Sequence, residues 1–147
     1  MSTSDSLETN HFIRVACLCL TAQRVARSLA RQFDKALRPL DLTSGQFSLL
    51  SAVNQAPPPR VTDVAARLGL DRTTLTAALK PLTRRGLVDV CTDPTDRRGR
   101  RLVLTDDGRA LLNEAIPIWR RCHDSLERAL GQPAVDRLRS GLDEITG

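Results

Sequence analysis

The stretch Thr62-Asp-Val-Ala-Ala-Arg-Leu-Gly-Leu-Asp71-Arg-Thr-Thr-Leu-Thr-Ala-Ala-Leu-Lys80-Pro-Leu-Thr-Arg-Arg-Gly86 decides the fold. Thr62 can cap a short helix over Asp63 to Leu68, with an acidic residue where the helix dipole is positive. Gly69 supplies a left-handed turn residue, Leu70 can plug the interior, and Asp71 is a second N-cap within reach of the Thr73 or Thr74 amides. The next helix, at about 72–85, turns Leu75, Leu79 and Leu82 inward at a spacing of four and three. Its other face carries Arg72, Thr73, Thr76, Lys80 and Thr83. Pro81 lies inside it and predicts a bend, and Gly86 ends it. The pattern is helix, tight turn, helix.

Downstream, Leu87-Val88-Asp89-Val90 and Arg101-Leu102-Val103-Leu104 alternate as strands do, around the turn-rich tip Thr92-Asp-Pro-Thr-Asp-Arg-Arg-Gly-Arg. A β-hairpin with a basic tip, a wing at about 92–101, follows directly on the helix-turn-helix. Upstream, apolar residues recur at helical spacing from about His11 to Arg38, with Arg24, Arg27, Arg31, Lys35 and Arg38 opposite. This predicts one long amphipathic helix ended by Pro39. Thr43 or Ser44 caps another helix that stops before Pro57-Pro58-Pro59. Thr105 caps a long helix containing Pro117, and Pro133 opens a last one with Val135, Leu138, Leu142 and Ile145.

The expected fold is therefore mainly α with a small β-hairpin. It is a winged helix-turn-helix (41–105) flanked by N- and C-terminal dimerisation helices (10–40 and 106–147), in a single domain spanning 1–147. The flanking helices are too long for the winged core alone, and two-fold pairing of their apolar stripes suits palindromic DNA half-sites about 34 Å apart.

Placement of charge points to duplex DNA. The chain of 147 residues has net charge +5, with a basic set that is almost entirely arginine. Arginine's planar fork matches phosphates and guanine edges. Arg72, Thr73, Thr74, Thr76 and Lys80 stand where a recognition helix meets the major groove. Arg97, Arg98, Arg100 and Arg101 crowd the wing tip within five residues, where Asp96 could hold one arginine and the others suit the narrow minor groove. A protein-interaction module that kept the winged helix but lost DNA binding is the alternative; it predicts a neutral or acidic reading helix, which Arg72 and Lys80 oppose. RNA binding lacks an exposed aromatic platform, since Trp119 falls on a core stripe. No phosphate loop, nucleophile elbow or metal-ligand spacing appears, so the reading is of a non-enzyme without cofactor or metal. His11 and His123 each stand alone. Apolar runs are too short to cross a bilayer and no signal peptide opens the chain, so a cytoplasmic address with no membrane contact is expected.

The chain resembles the MarR family of winged helix-turn-helix transcription regulators over nearly its full length. The residues that carry the resemblance are Thr74-Leu75 followed by Leu82, Gly86-Leu87-Val88, Asp96-Arg97-Arg98, Leu104-Thr105-Asp-Asp-Gly108 and Leu40-Asp-Leu-Thr-Ser-Gly-Gln46-Phe47. It implies a triangular homodimer with a recognition helix in each of two major grooves and Arg98 in the minor groove, partnered by Asp96. It also implies a repressor that releases its operator in response to a small-molecule effector or an oxidant. Within the family, the branch that senses organic hydroperoxides has a reactive cysteine where this chain has Cys19, which makes Cys19 a candidate thiol switch. That branch surrounds its cysteine with tyrosines, whereas Gln23 and Phe33 stand here, so a packed thiol is the competing expectation for Cys19. Packing is also the expectation for Cys91 and Cys122.

Overall fold

The computed structural model describes residues 3–147. Helices α1 (Thr3–Ala16), α2 (Leu18–Leu37), α3 (Ser44–Val53), α4 (Val61–Leu68) and α5 (Arg72–Arg84) precede strands β1 (Val88–Asp93) and β2 (Asp96–Leu104). Helices α6 (Asp106–Leu130) and α7 (Gln132–Thr146) follow, and a short 3-10 turn, Arg38–Leu40, joins α2 to α3. The mainly helical architecture with one antiparallel hairpin is the expected one.

The core sits where α2, α3, α5, β2 and α6 meet. Leu37, Leu50, Leu75, Leu82, Leu102 and Leu112 are fully buried there, each contributing about 1.5–3 kcal/mol of burial free energy. The three inward leucines of α5 are all among the buried residues. Helix α4 ends at Gly69, whose φ of 64° is the left-handed conformation that lets the chain turn sharply into Asp71. The Asp71 carboxylate then accepts from the Thr74 N–H at 2.7 Å, capping α5 as expected.

Two local expectations are corrected. The first helix is not continuous. Cys17 leaves helical geometry (φ −71°, ψ 106°) and its Sγ accepts from the Leu20 N–H at 3.4 Å, so it caps α2 and separates it from α1. Helix α4 begins before the expected cap at Thr62: Arg60 is the N-cap and makes no side-chain capping bond, because burial of Val61 draws the first turn into the core. Helices α5 and α6 run through Pro81 and Pro117 as continuous elements.

The wing is locked to α6 at its base. Thr105 Oγ1 accepts from the Gly108 N–H at 3.0 Å and donates to the Gly86 carbonyl at 2.7 Å. Gly108 packs so closely that a Cβ there would lie 2.1 Å from the Leu87 carbonyl oxygen, which is why a glycine is needed. Among the described residues, every exposed large apolar side chain except Val90 lies on α1, α2, α6 or α7, Phe12 and Ile145 at 69% each among them. No helix of the described residues is long and apolar enough to cross a membrane.

Candidate nucleic-acid interface

Helix α5 presents Arg72, Thr73, Thr74, Thr76 and Lys80 as exposed residues on the face opposite its leucines. The threonines differ in what they have left to offer. The Thr76 hydroxyl donates to the Arg72 carbonyl at 2.8 Å, so its methyl is the free contact group. Thr74 is tied to Asp71, whose carboxyl is held below its ordinary pKa, first of all by the Thr74 backbone N–H and then by the Thr74 side chain. The Thr73 backbone N–H also faces the Asp71 carboxylate, but its hydroxyl carries no hydrogen bond among the described residues. The cationic groups of Arg72 and Lys80 have no acidic partner there either.

The hairpin turns through Pro94-Thr95 and then loses register. Thr92 faces Arg100 but Asp93 faces Asp96, so Arg97, Arg98 and Gly99 form a bulge on β2. Alternation along the strand cannot produce this protrusion; the bulge pushes Arg97 and Arg98 out of the ladder. Asp96 organises it, accepting from the Arg98 backbone N–H at 3.0 Å. The expected pairing of Asp96 with Arg98 is thus made to its main chain, and the Arg98 guanidinium remains free among the described residues. Arg100 is partly committed, its Nη1 donating to the carbonyls of Arg97 at 3.2 Å and Gly99 at 3.1 Å.

These two elements share one face. An open groove of ≈ 310 Å³ is lined by Arg72, Thr76, Lys80 and Thr83 of α5 together with Val90 and Arg100 of the wing. Of the sequence-predicted residues, Arg72, Thr76, Lys80 and Arg100 meet at this groove, while Thr73, Thr74, Asp96, Arg97 and Arg98 are exposed but do not line it. Two of the four tip arginines behave differently from Arg97 and Arg98: besides Arg100, Arg101 turns inward, its Nε 3.1 Å from the carboxylate of Asp93. Sequence reasoning passed over that buried aspartate, because an aspartate before Pro94 reads as an ordinary turn residue.

Comparison with known proteins finds matches over most of the chain. A family model described as MarR family matches residues 40–99, from the end of the 3-10 turn to the wing bulge. A crystal structure of the transcriptional regulator MosR of M. tuberculosis in complex with DNA is 39% identical. The match covers 88% of this chain and 95% of that one, with a TM-score of 0.78. The chain belongs to the MarR family. A second member, the transcriptional repressor CouR bound to a 23-mer DNA duplex, is 33% identical over 92% of this chain and 96% of that one, with a TM-score of 0.81. CouR from Rhodococcus jostii RHA1 bound to p-coumaroyl-CoA matches at 28% identity and a TM-score of 0.77, covering 90% and 93% of the two chains. The matched proteins are transcription regulators.

The remaining candidates of this MarR-family chain do not line that groove. Cys19 is exposed in the subunit, with Gln23 Nε2 donating to its sulfur at 3.5 Å, so the packed thiol expected there is not what α2 presents. Cys91 is likewise exposed on β1, while Cys122 is half-buried. His123 is not isolated: its ring stacks on Trp119 with centroids 4.9 Å apart, and Trp119 stacks in turn on Phe47. Ligand atoms of His123, Asp124 and Glu127 come within 4.8 Å of one another, but Arg139 already pairs with Glu127.

Proposed function

We propose that this chain is a homodimeric, sequence-specific regulator of transcription that binds palindromic duplex DNA. Helix α5 enters the major groove and the β1–β2 wing enters the minor groove. The observation that carries this reading is the shared face. Arg72 and Lys80 of the helix line one groove with Arg100 of the wing, and Arg97 and Arg98 on the bulge next to Arg100 have no acidic partner among the described residues, so a polyanion would compensate these cations. Within it, Thr73 and Thr76 are the residues that discriminate bases and the arginines those that set overall affinity.

Dimerisation is supported by the distribution of exposed apolar side chains, concentrated on α1, α2 and α7 rather than on the reading face. The role is repression without catalysis, relieved by a small-molecule effector or an oxidant. For the oxidant branch, the exposed Cys19 with an amide donor at its sulfur is the group that would react.

Fluorescence anisotropy with a palindromic duplex taken from the DNA beside the gene tests the reading. Saturable binding by a dimer, at least a hundredfold tighter than to a shuffled duplex in the same salt, is expected. Equal affinity for the two duplexes would refute sequence-specific regulation. Peroxide should release the wild type and spare Cys19→Ser; identical responses would remove Cys19 from the mechanism.

A further inference from the structure

Asp93 is the buried charged residue of the described chain, 2% exposed, and nothing in direct DNA contact accounts for it. Its carboxylate gathers three segments. Oδ1 accepts from the Thr95 N–H at 3.0 Å and the Thr95 hydroxyl at 2.9 Å, and lies 3.1 Å from Arg101 Nε. Oδ2 lies 2.9 Å from Arg60 Nε, its ion-pair partner. Arg60 is the N-cap of α4, Thr95 is the hairpin turn and Arg101 is in β2.

The same junction carries a strip of backbone pairing. Leu102 N–H donates to the Pro59 carbonyl at 3.0 Å, Arg60 bridges to Arg101, and Arg101 Nη1 donates to the Pro58 carbonyl at 2.5 Å. Pro58 to Arg60 thus runs beside β2, joined to it by one isolated antiparallel bridge and by the Arg101 side chain, with the Asp93 carboxylate between the two arginines. Without that negative charge, Arg60 and Arg101, whose side chains are partly exposed, would face each other with no acid between them. Asp93 also abuts the bulge: a Cβ on Gly99 would come within 3.1 Å of the Asp93 Cβ.

We propose that Asp93 is the positioning residue of the wing. By holding Arg60 and Arg101 it sets apart two arginines that fix the hairpin against α4 from Arg97 and Arg98, which are left to reach DNA, while Arg100 is bonded within the bulge. The hairpin's angle to α5, and with it the spacing between the two reading elements, is set at this carboxylate. The inference rests on reading the wing as a minor-groove element.

Dimethyl sulfate probing of the operator complex separates the possibilities, because the reagent marks guanine N7 in the major groove and adenine N3 in the minor groove. The full-length wild type should protect both. Asp93→Asn keeps an acceptor for Thr95 and removes the charge. It should lose the adenine N3 protection while keeping the guanine N7 protection under α5, and its affinity should fall to that of Arg98→Ala. Arg60→Gln, which leaves Asp93 and β2 intact, should show the same selective loss and serves where Asp93→Asn does not fold. Full protection of both grooves by the two variants would overturn the proposal, as would proportional loss of both, the mark of general destabilisation. Absence of minor-groove protection in the wild type would instead overturn the placement of the wing on which the proposal stands.

Discussion

Replacing Arg98 by alanine should change DNA binding without changing folding, whereas replacing Arg101, which anchors the hairpin, should lower stability as well as binding. The two side chains sit three positions apart on one strand, yet the bulge leaves the Arg98 guanidinium without a protein partner among the described residues, while Arg101 is engaged by Asp93 and the Pro58 carbonyl. Each cation withdrawn from a duplex lowers the slope of log affinity against log salt by about 0.9. A dimer loses two copies, so the slope for Arg98→Ala should be shallower by about 1.8, and over a roughly fourfold rise in salt its deficit against wild type should shrink about tenfold. Anisotropy titrations across a salt series measure this, and thermal melting supplies the control: Arg98→Ala should melt with the wild type, and Arg101→Ala several degrees lower. Parallel salt slopes for wild type and Arg98→Ala would refute the assignment. So would an Arg101→Ala variant that melts normally and reproduces the Arg98→Ala slope.

Leu75→Ala, in a fully buried site of α5, should lower unfolding free energy by about 2–5 kcal/mol in denaturant titrations. Asp93 titrates at about 2, below the ordinary 3.8, chiefly through the Thr95 backbone N–H bond, with the Thr95 hydroxyl and Arg101 adding to it. A lowered folded-state pKa favours the fold above 3.8 and loses that contribution as pH falls toward 2. Circular dichroism should therefore show wild type losing more stability than Asp93→Asn over that interval. Leu142→Glu places a charge in the exposed apolar row of α7 and should shift sedimentation toward the monomer, with loss of operator binding; an unchanged dimer would exclude this row from the subunit contact.

What could be read in the sequence was what neighbouring residues decide among themselves. Gly69, the Asp71 cap and the leucine spacing of α5 are determined within a turn or two of helix, and each stands where expected. The break at Cys17 escaped because apolar periodicity continues through it; the interruption is a matter of one residue's backbone angles and a sulfur acting as cap. The family resemblance names Arg98 as the wing arginine, but that it stands out of the ladder comes from a register shift, and register depends on pairing between strands. Asp93 was invisible for the same reason: its partner Arg60 lies on the far side of the whole helix-turn-helix, and no local pattern announces a contact across that distance.

The absence of a side chain at Gly108 has a mechanical consequence. Backbone of α6 rests directly on the carbonyl of Leu87, so no soft layer separates the long helix from the base of the hairpin. With 25 residues, α6 is a lever about 37 Å long at the usual rise, and a tilt of about 3° displaces its far end by about 2 Å. A small rotation forced near α7 would therefore be geared, almost without slack, into the orientation of the hairpin.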